Sequence, residues 1–180
     1  MPDIHLKPDW SPCIEYLDVH GVDRLFHFTD RANISSIRQV DELVSWKEAQ
    51  RRSIRISHPG GNNRSRELDV SRGLDDYVRL SFVPYPPMLF ALKKDGRLQD
   101  PVMLEIDPIV ALWQTSLFST GNAASFKDAV KVGSGFEVLE RIRFDLIKAR
   151  AWSGNEEKLL IQAEVMVHQF LPLEFIKSGI

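Results

Sequence analysis

Gln162-Ala163-Glu164, set in the apolar run Leu159 to His168, is the stretch of this chain whose residue types could do chemistry. Period-two alternation places Leu159, Ile161, Ala163, Val165 and Val167 on one face of a strand. Gln162, Glu164, Met166 and His168 share the other. A carboxylate left buried, charged and unpaired in such a strand is strongly unfavourable. It needs a counter-charge, an open cleft or a reaction. The plain structural reading is a salt-bridged or solvent-facing glutamate on an edge strand. The same-face Gln-x-Glu pair also suits a grip on a polyhydroxylated ligand, because a carboxylate accepts from hydroxyls while an amide both donates and accepts.

A second polar pair stands in Leu25-Phe26-His27-Phe28-Thr29, where alternation puts Leu25, His27 and Thr29 on one face and Phe26 and Phe28 on the other. A lone histidine there would ordinarily be a satisfied structural group. A third feature is charge. Lys47, Arg51, Arg52, Arg55, Arg64 and Arg66 face one acid, Glu48, between positions 47 and 66. Such a run attracts phosphates whatever the total charge, or is simply a solvated loop. Together the three features offer hydrogen bonds to ribose, a carboxylate for a developing cation and guanidinium groups for phosphate.

The elements that must position these groups are short and mixed. Leu25 to Thr29 predicts a strand, followed by a helix capped by Thr29 or Asp30 with Ile34, Ile37 and Val40 as its apolar stripe. Residues 45–72 show little periodicity, and His58-Pro59-Gly60-Gly61-Asn62-Asn63 is turn chemistry, so a long functional connection is expected there. Tyr77 to Val83 and Val102 to Asp107 predict strands, and Pro87 opens a short helix to Lys94. Asn122 predicts the cap of a helix from Ala123 to Gly133. Phe136 to Trp152 predicts the longest helix, with Val138, Ile142, Leu146 and Ala149 as its stripe. A final strand pair starts with Leu159 to Phe170. The absence of a βαβ rhythm argues for α+β.

Composition sets the bounds. The 180 residues suit one domain over 1–180, with residues 1–20 as an N-terminal arm and 45–72 as a basic substrate loop. A hydrophobic content of 43% with 27% charged residues excludes a disordered or fibrous chain. The single Cys13 excludes a disulfide framework, five scattered histidines lack zinc spacing, and no metal is expected. No apolar run is long enough to span a bilayer and the polar N-terminus reads as no leader, so a cytoplasmic protein is expected.

Three blocks in order resemble the DarT family of DNA ADP-ribosyltransferase toxins. They are Leu25-Phe26-His27-Phe28-Thr29-Asp30 with Ala32-Asn33-Ile34; Asp76-Tyr77-Val78 with Phe82, Pro84 and Pro87-Met88-Leu89-Phe90-Ala91; and Gln162-Ala163-Glu164-Val165-Met166-Val167. The resemblance covers most of residues 24 to 173. It implies an ADP-ribosyltransferase-like fold, a split pair of small antiparallel β-sheets with peripheral helices and a cleft for NAD. It also implies transfer of ADP-ribose from NAD onto a nucleobase of single-stranded DNA by the toxin of a toxin–antitoxin or phage-defence system, with a macrodomain antitoxin reversing the mark.

Carried over by position, Glu164 would be the catalytic glutamate and Arg64 the catalytic arginine, with Arg66, or Arg51 and Arg52, as alternatives. His27, Phe28, Thr29, Met88 and Gln162 would bind NAD. Arg51, Arg52, Arg66, Lys158 and Asn122 would meet the nucleic acid. Arg79 and Leu80 depart from the family's Pro-Phe, Tyr85 stands where an arginine is common, and Asn122 where histidine is frequent. The competing readings are the same chemistry on RNA or protein, a catalytically silent NAD- or nucleic-acid-binding module, and a plain interaction domain.

Overall fold

The computed structural model describes residues 5–60, 63–125, 127–149 and 153–180, and of residues 63–65 only the backbone. The elements run α1 (Trp10–Val19), β1 (Leu25–Asp30), α2 (Ile34–Val40), β2 (Glu42–Val44), α3 (Trp46–Arg51), α4 (Asn63–Ser71), β3 (Tyr77–Ser81), α5 (Pro87–Lys94), β4 (Pro101–Ile106), β5 (Leu117–Ser119), β6 (Val132–Gly133), α6 (Phe136–Leu139), α7 (Phe144–Ala149), α8 (Asn155–Leu160), β7 (Glu164–His168), β8 (Phe170–Pro172) and β9 (Ile176–Ser178). Pro87 opens α5, where its missing N–H leaves no helical bond unmade. Helices and antiparallel strands are mixed, as an α+β fold requires.

The main sheet has the order β6-β5-β7-β3-β1-β4-β9, and β2 pairs with β8 in a second, two-stranded sheet. The seven strands are not evenly joined. β1 pairs with β4 along its whole length, from Leu25↔Ile106 to Asp30↔Pro101. β3 pairs with β7 from Tyr77↔His168 to Ser81↔Glu164. Between β1 and β3 there is one register pair, Phe26↔Ser81. The sheet is thus split into two antiparallel halves that meet at a single point and diverge from it.

The core fills one side of both halves. Leu25, Leu80, Leu104, Ile106, Phe118, Val165 and Val167 are fully buried in it, each contributing roughly 1.5–3 kcal/mol by leaving water. The other face of β7 is covered too, because Met166 packs with Leu74 and Ala123. Leu6 and Lys7 are tied to this body. Leu6 bridges Trp113, and the buried Lys7 gives its three ammonium protons to the carbonyls of Ala111, Trp113 and Ser116 at 2.8, 2.8 and 2.7 Å.

Four expectations need correction. Residues 45–72 are not a plain connection, since they carry α3 and α4. The Ser45 hydroxyl caps α3 by accepting the Glu48 N–H at 3.1 Å. Among the described residues between Asn122 and Gly133 there is no helix. The Asn122 side chain accepts the Ala124 N–H in a local turn, and the segment closes a hairpin in which Ser119 pairs with Val132. The expected helix from Phe136 breaks into α6 and α7. On one continuous helix Phe144 and Ile147 would face away from Val138 and Ile142, and the break buries all four while Ala149 is exposed. Trp152 lies outside the described residues. The strand expected from Leu159 begins at Glu164, because Asn155–Leu160 forms α8 and Gln162 sits in the turn between.

Candidate active site

Where β1 and β3 diverge, a cleft of about 460 Å³ opens, lined among others by His27, Thr29, Trp46, Arg66, Asp69, Arg79, Met88, Asn122, Gln162 and Glu164. Its size is that of a small-molecule site. His27 and Glu164 therefore look into one crevice, from the two halves of the split sheet.

Glu164 opens β7, with Ser81 on one neighbouring strand and Ser119 on the other as its register partners. Two small residues beside it leave room for its side chain. Its Oε1 accepts from Arg79 Nη1 at 2.7 Å and from the Ala123 N–H at 3.1 Å. Among the described residues Oε2 accepts from none. Burial pushes the Glu164 carboxyl above the usual carboxylate value, the Arg79 charge and the Ala123 N–H pull it down, and Asp69 pushes it up again. The guanidinium of Arg79 has a second partner, for Nη2 donates to Asp69 Oδ1 on α4 at 2.6 Å. Burial holds the Asp69 carboxyl up as well, against the pull of Arg79.

His27 is positioned by the same residue. Its Nδ1 lies 2.9 Å from the main-chain carbonyl of Arg79. A carbonyl only accepts, so Nδ1 carries the proton. Burial holds the imidazole below the usual histidine value, which keeps it neutral and makes Nε2 an acceptor. Thr29, two residues on, takes the Asn33 Nδ2–H on its hydroxyl at 3.2 Å. Asn33 also pins the loop after α3. Its amide donates to the His58 carbonyl at 3.0 Å and accepts the His58 N–H at 3.1 Å. That loop brings Arg55, Ile56, His58 and Gly60 to the cleft wall.

The far end of the cleft is built from two turns. Gly121 lies against the end of α8, where a Cβ would stand 2.8 Å from the Leu159 carbonyl. Only glycine permits this approach, and it brings Asn122 to Gln162. Asn122 Nδ2 donates to Gln162 Oε1 at 3.2 Å, and Gln162 Nε2 donates to the Lys158 carbonyl at 2.6 Å. Met88, half-exposed at the start of α5, and Phe28 also line the cleft.

The basic residues separate into two groups. Arg66 stacks on the Trp46 indole, 3.8 Å from the ring centre, inside the cleft. Arg51 and Arg52 do not line it. Arg51 makes a two-pronged pair with the buried Glu48 at 2.8 and 2.6 Å, and Arg52 pairs with Glu42. Much of the positive charge read from the sequence is thus neutralised by acids on its own and the neighbouring elements. Lys158 is exposed on α8 and does not line the cleft. Arg64 belongs to α4, but its side chain lies outside the described residues.

Arg79, Asp69, Trp46 and Asn33 were missed as site residues. Arg79 carried a readable signal. It is a cation between Val78 and Leu80 in an apolar strand, and it needs a buried acid as its partner just as Glu164 needs a cation. Asp69 and Trp46 gave no such sign, because their places depend on how α3 and α4 pack.

The split antiparallel sheet, with its cleft lined by Glu164 and His27, has the ADP-ribosyltransferase-like fold. The family model for the ssDNA thymidine ADP-ribosyltransferase DarT matches residues 26–180, and the chain belongs to that family. It is accordingly an NAD-dependent enzyme that transfers ADP-ribose to single-stranded DNA.

Solved structures agree on the fold. The DarT of Thermus sp. 2.9 in complex with ADP-ribosylated ssDNA superposes with a TM-score of 0.73 at 18% identity, over 87% of this chain and 80% of that one. The same protein with carba-NAD+ gives 0.67 at 17% identity, over the same shares of both chains. Thermosipho africanus DarTG in complex with ADP-ribose gives 0.70 at 22% identity, over 85% of this chain and 42% of that one. No curated protein matches the sequence. Among the described residues no group of three or more His, Cys, Asp or Glu is gathered to hold a metal ion, and no helix is long and apolar enough to cross a membrane.

Proposed function

We propose that NAD lies across the split of the sheet with its nicotinamide ribose between His27 and Glu164, and that the ADP-ribose passes to a thymine of single-stranded DNA at that point. The single observation that carries this reading is the placement of both side chains on one cleft. Glu164 Oε2 accepts from the ribose 2′-hydroxyl and stabilises the positive charge that grows at the anomeric carbon as the glycosidic bond breaks. Nicotinamide leaves with that bond's electron pair. His27 Nε2 accepts from a second ribose hydroxyl, with Thr29 beside it. Met88 and Phe28 give the departing ring an apolar wall.

The chemistry of thymine fits this picture. Its N1 is already bonded to deoxyribose, so N3 is the one ring nitrogen left to attack, and it gives up a proton to water as the new bond forms. N3 is hidden in a paired duplex, which makes an unpaired strand the natural acceptor. Arg66, held flat on Trp46, meets a phosphate or the incoming base from α4, together with Arg64 on the same helix. Asn122 and Gln162 border the acceptor side.

Both substrates are met in the cytoplasm, where we place the protein. A mark on replicating DNA would arrest growth, and a macrodomain partner that removes it is the counterpart the family resemblance implies. The test is direct. Incubation with NAD and a thymine-containing oligonucleotide should release nicotinamide and add one ADP-ribose to the strand by mass spectrometry. Unchanged release from Glu164→Ala, or no mass added to any oligonucleotide, overturns the reading.

A further inference from the structure

Arg79 touches Glu164 with its side chain and His27 with its backbone. Its guanidinium is a planar fork held at both ends, Nη1 on Glu164 at 2.7 Å and Nη2 on Asp69 at 2.6 Å. All three side chains are largely withdrawn from solvent, with 25%, 17% and 28% of their surfaces exposed for Arg79, Glu164 and Asp69. A pair so far out of bulk water is poorly screened, and fixing both ends of a fork fixes its plane.

We propose that Arg79 is a positioning residue of the transfer reaction: it holds Glu164 by Oε1 so that Oε2 is presented, ionised, to the ribose, and Asp69 on α4 holds Arg79 in turn. This rests on Glu164 being the carboxylate that meets the ribose. The division of labour follows from the geometry. Among the described residues both donors to Glu164, the Arg79 guanidinium and the Ala123 N–H, go to Oε1, so neither has to leave when a hydroxyl binds Oε2.

Among the described residues the groups that act on Glu164 are few. β3 contributes Arg79 and, as the neutral register partner, Ser81, and α4 contributes Asp69. The neutral His27 of β1 and Arg66 of α4 line the same cleft. The turn after β5 adds the Ala123 N–H. Of the charged ones, Arg79 favours the ionised carboxylate and Asp69 opposes it. Removing one or the other must therefore move the ionisation of Glu164 in opposite directions. A merely structural ion pair would lower stability without that signature.

The experiment follows nicotinamide release from NAD by the full chain across the acid limb of its pH profile. In Arg79→Gln the limb should rise by about one to three pH units, with kcat falling and KM for NAD little changed. In Asp69→Asn it should move down. Arg79→Lys, which keeps the charge without the fork, should return the limb toward wild type without restoring full kcat. A limb that stays in place in Arg79→Gln, or moves the same way in both variants, overturns the proposal. If Arg79→Gln does not fold, the direction of the Asp69→Asn shift decides alone. Release at the wild-type rate by Glu164→Gln would instead remove the reading beneath it.

Discussion

His27 and Glu164 stand on opposite halves of the split sheet, and both are held by Arg79. Its carbonyl takes the His27 Nδ1–H at 2.9 Å, while its guanidinium gives a hydrogen bond to Glu164 at 2.7 Å. The two groups that would flank the ribose are thus registered against one residue of β3 rather than against each other. His27 is fixed on the Arg79 backbone, and Glu164 is also in register with Ser81 of the same strand.

Removal of Glu164 should be the most damaging single change. Glu164→Ala takes away a preorganised carboxylate at the point where charge develops, and nicotinamide release should fall by about 10²–10³-fold or more. The same variant should be tolerated on expression in bacteria, where the wild type should arrest growth. Colony counts under induction check this, with equal tolerance of both forms counting against a toxin.

The arginines should differ in their salt response. Arg66 faces the cleft, while Arg51 and Arg52 are spent on Glu48 and Glu42. Arg66→Ala should lower the slope of log affinity for single-stranded DNA against log salt by about 0.7, one phosphate's worth, and Arg51→Ala should barely change it. Trp46→Ala, which removes the surface on which Arg66 lies, should weaken binding in the same direction.

The fold should lose stability in mild acid partly through His27. Burial holds its native value below the 6.5 of an unperturbed histidine, so the unfolded chain takes up its proton first as pH falls. Stability supplied by the neutral imidazole is complete above 6.5 and is lost as pH falls below it. Glu164, raised in the native state, acts with the opposite sign, because its native carboxyl is protonated before the unfolded one. Urea midpoints at neutral and mildly acid pH should therefore converge in His27→Gln. His20, also held down by burial, supplies a remaining slope.

Lys7 should matter for folding and not for chemistry. It is 2% exposed, and Lys7→Met keeps the bulk of the side chain but takes a donor from three buried carbonyls, of which that of Trp113 keeps the Ser116 N–H at 2.9 Å. The expected loss is about 2–4 kcal/mol, or roughly 5–15 °C in melting temperature. Activity per folded molecule should be unchanged, which a titration of folded protein against nicotinamide release would show.

Strands β1, β3 and β4 were legible in the sequence because alternation and flanking prolines act over a few residues. Glu164 and His27 were legible as polar groups in apolar strands. What was not legible depended on packing at a distance. Ser45 with Glu48 three residues on was a readable helix start, obscured by the charge around it. The broken helix at Phe136 hid because either stripe alone, Val138 with Ile142 or Phe144 with Ile147, fits a helix, and only the core requires both to be buried. The basic run misled for a different reason. Glu42 lies outside it, in β2, and a count of charge along the chain cannot see which acid a fold will deliver.

The single Phe26↔Ser81 pair between the two halves of the sheet has a mechanical consequence. A dinucleotide bound across the divergence would act as a second seam, stitching wall to wall where the backbone does not. Occupancy would then be felt by both halves at once. Amides of β1 and β3 beyond the pair should exchange with deuterium more slowly as NAD is added, although no new backbone bond is made between them.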